Sequence, residues 1–389
     1  MSKNISMNAI FIIGSVQAFF FSILIFSKKH KSFHDKVLAS WLLLMGLQLL
    51  LKYINFNELY IYVPWILGLN AGFPLVHGPM LFLYVNSLTK NYKKIRRIDY
   101  LHFIPFVLMY IYLLPVLLLS SESKIQIFIH GQNYDPKYLP LFILLILSVP
   151  SYIVWSFYSL KKHQSNILRF FSFNEKVGLQ WLYYLTIGLG AIWLAIGLAY
   201  MLTYAFGIIH QANRDILIYI VFVIYIFILG FKGLKQGNIF FDINPLLSKA
   251  NQSKKIGSLE VEKEVKVKQA SKIKNADEIL KKIQSYMEKE KPYLEEKLTI
   301  VQLSESLNIP YYILSQVIND KLNQNFFDFV NSYSVNEAKE KLCDPKFDHY
   351  TILGTALDCG FNSKASFNRI FKLKTSKTPT QYKNSQKLN

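Results

Sequence analysis

Seven apolar runs fill the first 234 residues, each close to the length that crosses a bilayer. They cover 8–27, 36–54, 61–89, 100–120, 138–160, 179–205 and 215–234. A spanning helix needs roughly 20 mostly apolar residues. Buried helices in one large soluble core are the alternative, but soluble cores rarely supply so many runs of this length. The spacing therefore predicts an all-α, seven-helix transmembrane bundle over 1–235. The third run contains Pro74 and Pro79 and is expected to kink or tilt.

Charge follows a different map. The chain carries 44 Lys and Arg against 25 Asp and Glu, a net charge of +19. Residues 235–389 hold 25 of those basic residues and 18 of the acidic ones, the composition of an ordinary soluble domain. In the apolar half the basic residues gather in alternate loops. Lys28, Lys29, Lys31 and Lys36 occupy one, Lys90, Lys93, Lys94, Arg96 and Arg97 the next, and Lys161, Lys162, Arg169 and Lys176 a third. Lys232 and Lys235 follow the last run, and the intervening loops are poor in both residues. Cytoplasmic loops carry the Lys/Arg excess. This places the N-terminus outside and 235–389 in the cytoplasm. The first run lacks a small-residue cleavage site and reads as a retained helix.

Residues 236–275 alternate Lys and Glu without a sustained apolar heptad, and read as a charged cytoplasmic linker. From Ala276 the pattern turns helical. Ile279, Leu280, Ile283 and Met287 recur at helical spacing. In 298–320, Thr299 and Gln302 form a capping-box pair, and Ile300, Leu303 and Leu307 make an apolar stripe. Asn308 tolerates the left-handed turn, and Pro310 suits the first turn of the next helix. Ile313, Leu314, Val317 and Ile318 give that helix a buried face. Two short helices around a tight turn form a helix-turn-helix. A second such unit follows at 350–373, with Ile352, Leu353 and Ala356 in its first helix and Gly360 at the turn. Asn362 or Ser363 caps its second helix, which Phe367, Ile370 and Phe371 anchor. Phe326, Phe329, Val330, Ala338 and Leu342 mark a long helix joining the two, where Phe326 and Phe327 read as core.

The stretch 276–385 resembles the DNA-binding domain of the AraC/XylS family of transcription regulators. The resemblance rests on LSQVIND, NFFDFVN, EAKEKL, CGFNSKASFNRIFK and TPTQYK. The order of apolar runs and then this domain resembles a membrane-bound subgroup of that family, with GPMLFLYVNSL and HFIPF as shorter matches. The resemblance implies two reading helices that enter the DNA major groove, and a bacterial host. The sequence departs from the pattern at Ser334, where Arg is frequent, at Ser376, where Gly is usual, and at Thr355, where a larger apolar residue is usual.

DNA binding needs cations for phosphates and side chains that reach base edges. In the first unit Tyr311, Tyr312, Ser315, Gln316 and Asn319 are the expected contacts. In the second they are Asn362, Ser363, Lys364, Ser366, Arg369 and Lys372. From 362 onward there are seven basic residues and no acidic one, whereas 299–321 is nearly neutral. The second unit is therefore expected to dominate affinity and the first to add discrimination. A solvated face or adhesion to anionic lipid would account for the basic tail taken alone, but beside two helix-turn-helix units the DNA reading is preferred.

In the apolar half, Asn70, His77 and His102 are the candidate signal site, with Gln48 a further polar residue. Cys343 and Cys359 read as reduced core residues, with no metal set around them. No Walker loop, kinase glycine-rich loop or zinc-protease motif is present. No catalytic residue and no cofactor are expected. The expected partners are double-stranded DNA, the lipid bilayer, an unidentified signal ligand, a second copy in a homodimer, and RNA polymerase if the protein activates. A transporter or channel with an accessory domain, and a lipid-processing membrane hydrolase, are the competing classes. The soluble domain favours a sensor that regulates transcription from the bacterial inner membrane.

Overall fold

The computed structural model describes residues 2–90, 92, 94–130, 139–173, 178–204, 211–236 and 275–387. Apart from Gln236 and Asn275, the expected linker lies outside the described residues. Among the described residues the protein is all-α, with one isolated antiparallel bridge and no strand. The chain divides into two compact units. One comprises 1–161 and 179–238, the other 162–178 and 239–389. The boundary thus differs from the one drawn on the sequence, because 162–178 groups with the C-terminal residues.

The first unit contains α1 (Ser2–Phe26), α2 (Phe33–Phe56), α3 (Phe73–Thr89), α4 (Ile104–Leu117), α5 (Ser121–His130), most of α6 (Leu139–Phe170), α7 (Gln180–Tyr204) and α8 (Gln211–Lys235). Every one of the seven apolar runs contains a helix. Among the described residues, four helical stretches are long and apolar enough to cross a membrane: Met7–Phe26, Phe33–Phe56, Arg97–Leu117 and Leu217–Lys235. The run 61–89 is not one kinked helix. It begins where a 3-10 turn at Leu59–Ile61 ends and contains another at Pro64–Ile66, a positive φ at Gly68, and α3 only from Phe73. Pro64 and Pro74 each open a helical turn, because a proline at the start removes an N–H that has no partner there.

α1 and α2 pack closely through small residues. Ser15 Oγ donates to the Gly46 carbonyl at 3.1 Å and Ser22 Oγ to the Ala39 carbonyl at 2.8 Å. Small residues let apolar helices approach, and their hydroxyls find partners across the interface. Trp41, Leu42, Met45 and Tyr84 are fully buried. Ile13, Val16, Phe20 and Ile23 on α1, and Val107, Leu108 and Ile111 on α4, are exposed.

The second unit contains α9 (Ala276–Glu290), α10 (Ile300–Leu307), α11 (Tyr311–Leu322), α12 (Phe326–Cys343), α13 (Ile352–Asp358), α14 (Lys364–Thr375) and α15 (Pro379–Lys387). It has two apolar cores. Ile283, Met287, Leu303, Leu314, Val317 and Ile318 belong to the first, and Ala356, Phe361, Phe367, Ile370 and Phe371 to the second. α12 serves both. It sends Phe326, Phe329 and Val330 into the first core and Phe327, Val335, Ala338 and Leu342 into the second. The helix that joins the two helix-turn-helix units is therefore part of each.

Candidate nucleic-acid interface

The local chemistry of the first helix-turn-helix follows its sequence signals. Thr299 Oγ1 accepts from the Gln302 N–H at 3.2 Å, while Gln302 Oε1 accepts from the Thr299 N–H at 2.7 Å. This reciprocal pair satisfies two donors that helix geometry leaves open at the start of α10. Asn308 then takes φ +52° and ends the helix. Pro310 immediately precedes α11 as its cap residue. Leu314, Val317 and Ile318 anchor α11, so its opposite side carries the expected contacts. Tyr312 is 59% exposed and Asn319 is exposed. Ser315 and Gln316 are partly exposed, and Gln316 Nε2 donates to Asp320 Oδ2 at 3.3 Å. Tyr311 is half-buried, and burial raises its hydroxyl pKa.

The second unit repeats the plan. Thr351 Oγ1 accepts from the Gly354 N–H and starts α13. Gly360 turns the chain at φ +82°. Of the two expected caps it is Ser363 that starts α14, accepting from the Ser366 N–H at 3.1 Å. Phe367, Ile370 and Phe371 point into the core, which leaves Lys364, Arg369, Lys372 and Lys374 on exposed surface. Asn362 and Ser363 are partly exposed beside them. Ser366 is only 6% exposed, so its hydroxyl belongs to the packed side of α14 rather than to the basic face.

Charge on this face is less than the sequence count. Lys383 lies 3.1 Å from Asp348, whose carboxylate offsets its charge locally, whereas Lys377 keeps its charge while donating to Ser385 Oγ at 3.1 Å. Lys364, Lys372 and Lys374 and the Arg369 guanidinium, all on α14, supply the main cationic surface. Beside the first helix-turn-helix Lys321 lies 2.6 Å from Asp277, which keeps that side close to neutral.

Glu337 of α12 accepts from Lys291 Nζ at 2.8 Å and from the Tyr293 hydroxyl at 3.1 Å. Burial works to raise the Glu337 pKa, but these hydrogen bonds outweigh it and hold the carboxyl below its ordinary value. Burial pushes the Cys359 thiol up to about 12, which suits an inert core residue. Among the described residues no group of three or more His, Cys, Asp or Glu could hold a metal ion.

In the first unit the three polar candidates have separate surroundings. His77 Nδ1 accepts from Trp41 Nε1 at 3.1 Å, and His77 Nε2 lies 2.6 Å from Gln48 Oε1. His102 Nδ1 lies 3.0 Å from the Tyr152 hydroxyl. Asn70 buries a side-chain oxygen. No recorded contact among the described residues joins the three.

A family described as "Helix-turn-helix domain" matches residues 303–385. Uncharacterized HTH-type transcriptional regulators of Staphylococcus aureus strains COL, N315 and Mu50 are each 35% identical to this chain over 91 residues. That stretch is 23% of this chain and 12% of each relative. No solved structure matches. The protein thus carries a C-terminal helix-turn-helix domain of AraC type, homologous over that stretch to HTH-type transcriptional regulators.

Proposed function

We propose that the protein is a membrane-anchored, sequence-specific transcription regulator that couples a signal at a bacterial inner membrane to promoter binding. One observation carries the reading. A single chain combines an AraC-type helix-turn-helix domain with four helices long and apolar enough to span, whose outer faces expose large apolar side chains. Such faces need a covering of lipid or protein, and continuous helices satisfy the backbone within a bilayer. With all seven apolar runs of the sequence spanning, three more than the four helices above, the alternation of Lys- and Arg-rich loops supports an outside N-terminus and a cytoplasmic DNA-binding domain.

In this reading α11 and α14 enter successive major-groove faces. The α14 cations bind phosphates and set affinity, and the α11 amides read base edges. The signal, bound in the apolar half, changes the population of domains able to bind the promoter. The His77, Trp41 and Gln48 side chains bond one another, which favours a structural role there over a transport path.

The test uses the full chain. Membranes containing it are extracted with alkaline carbonate, and protein reconstituted in lipid nanodiscs selects genomic DNA fragments across a salt series. Retention in the membrane and a specific site with a steep salt slope are expected. Release by carbonate would overturn the anchoring, and binding without sequence preference would overturn the regulator.

A further inference from the structure

Residues 167–173 close α6 and begin the stretch that leads to α7, yet they pack into the DNA-binding unit. Ile167 and Phe171 are buried together, with Phe170 and Phe173 against them. Phe171 pairs with Thr299 in the antiparallel bridge. The Ser172 N–H and hydroxyl both donate to the Leu298 carbonyl, at 3.1 and 2.8 Å. Asn331 Nδ2 donates to the Ser172 carbonyl at 2.9 Å and to the Phe327 carbonyl at 2.7 Å. Leu168 packs on the second core and Phe170 on the first, so the segment crosses the seam between the two helix-turn-helix cores.

This is a fitted interaction surface, not a passing loop. The partners lie 126 and 159 residues away in sequence, and the backbone at Leu298–Thr299 meets the segment in one antiparallel bridge. Phe170 lies with its ring 5.8 Å from that of Tyr311, the first residue of α11. Tyr311, which also packs on the first core, is half-buried while its neighbour Tyr312 stands in solvent.

We propose that 167–173 is a built-in docking segment that competes with DNA for the first helix-turn-helix. Docked, it covers Tyr311 and fixes the two helix-turn-helix units across their seam. Released, it frees the first turn of α11 for the groove. The inference rests on the proposed DNA reading. Because the segment continues in the chain into α6 and α7, a change in those helices has a direct covalent route to it.

The test measures affinity of the full chain in nanodiscs for a DNA site selected as above. Phe170→Ala should tighten binding by about fivefold or more. A second variant, Phe171→Cys with Thr299→Cys in a Cys343→Ser background, locks the segment. Residues opposed in an antiparallel pair have Cα atoms about 4.5–5.5 Å apart, within disulfide range. The oxidised form should bind about fivefold or more weakly than the same protein after reduction, a comparison in which the loss of the Thr299 cap cancels. Specific binding that is indifferent to the cross-link, or that weakens with Phe170→Ala, would sink the docking proposal alone. Absence of specific binding in every form, reduced or oxidised, would sink the DNA reading and with it the competition.

Discussion

Gly360 packs its Cα against the carbonyl oxygen of Tyr293, so closely that a Cβ there would collide with it. The same carbonyl accepts from Ser334 Oγ at 3.2 Å. The turn of the second helix-turn-helix, the joining helix α12 and the chain entering the first unit therefore meet at one backbone oxygen. Ser334 is buried in this contact, which leaves no room for the charged side chain frequent at that position in the resembled family.

Gly360→Ala should be severely destabilising. The residue has φ +82°, where a Cβ is strained, and the collision involves backbone that cannot rotate away. A loss of about 3 kcal/mol is expected. Thermal unfolding of the full chain, followed by hydrogen exchange at α13 and α14, would measure it. An unchanged midpoint would show that the turn relaxes freely.

Ser376 offers the opposite case. It ends α14 with φ +60°, and its N–H donates to the Lys372 carbonyl at 2.8 Å. Only glycine adopts this conformation without steric cost. Ser376→Gly should stabilise the second unit by about 1 kcal/mol, read as a higher unfolding midpoint of the DNA-binding unit. A lower midpoint would mean that the serine side chain contributes something its exposed position does not reveal.

These positions show what sequence can and cannot announce. Asn308 and Gly360 advertise a left-handed turn, the one through a short polar side chain and the other through the lack of a Cβ, and both take it. Ser376 carries no such mark, and only the family resemblance, which has glycine there, points to its backbone. The Thr299–Gln302 capping box is local and legible. The docking of 167–173 is not, because its partners lie more than a hundred residues away. The helical extension of α6 through Phe170 was hidden by polarity: Lys161, Lys162 and Gln164 look like a loop after an apolar run, although all three are good helix formers. Ser366 is among the expected DNA contacts, yet it is buried beside Phe367.

Glu337 should make the DNA-binding unit acid-sensitive. Its folded pKa is depressed below the ordinary 4.5 by Lys291 and Tyr293, against the pull of burial. A depressed carboxyl contributes stability that is present above its unfolded pKa and is lost as pH falls through the folded one. Stability should therefore decline on acidification from about pH 5 downward. Glu337→Gln should cost about 1–2 kcal/mol at pH 7, a range that allows for the exposure of Lys291, and should flatten this decline. Chemical denaturation at pH 7 and pH 4 would measure both, and an equal acid loss in the variant would assign the decline to other groups.

Three substitutions separate the electrostatic and reading parts of the interface. Arg369 lies on the exposed cationic side of α14, so Arg369→Ala should weaken binding to all DNA sequences alike and reduce the salt slope by about one. Lys383 is already paired with Asp348, so Lys383→Ala should change the slope much less although it removes the same formal charge. Gln316 sits on the nearly neutral α11, where an amide can read adenine. Gln316→Ala should cost about 1–3 kcal/mol at the selected site, little at random DNA, and leave the slope unchanged. Binding isotherms on selected and random duplexes at several salt concentrations distinguish the three. A uniform loss at Gln316, or an equal slope change at Lys383 and Arg369, would show that the division of labour between α11 and α14 is drawn wrongly.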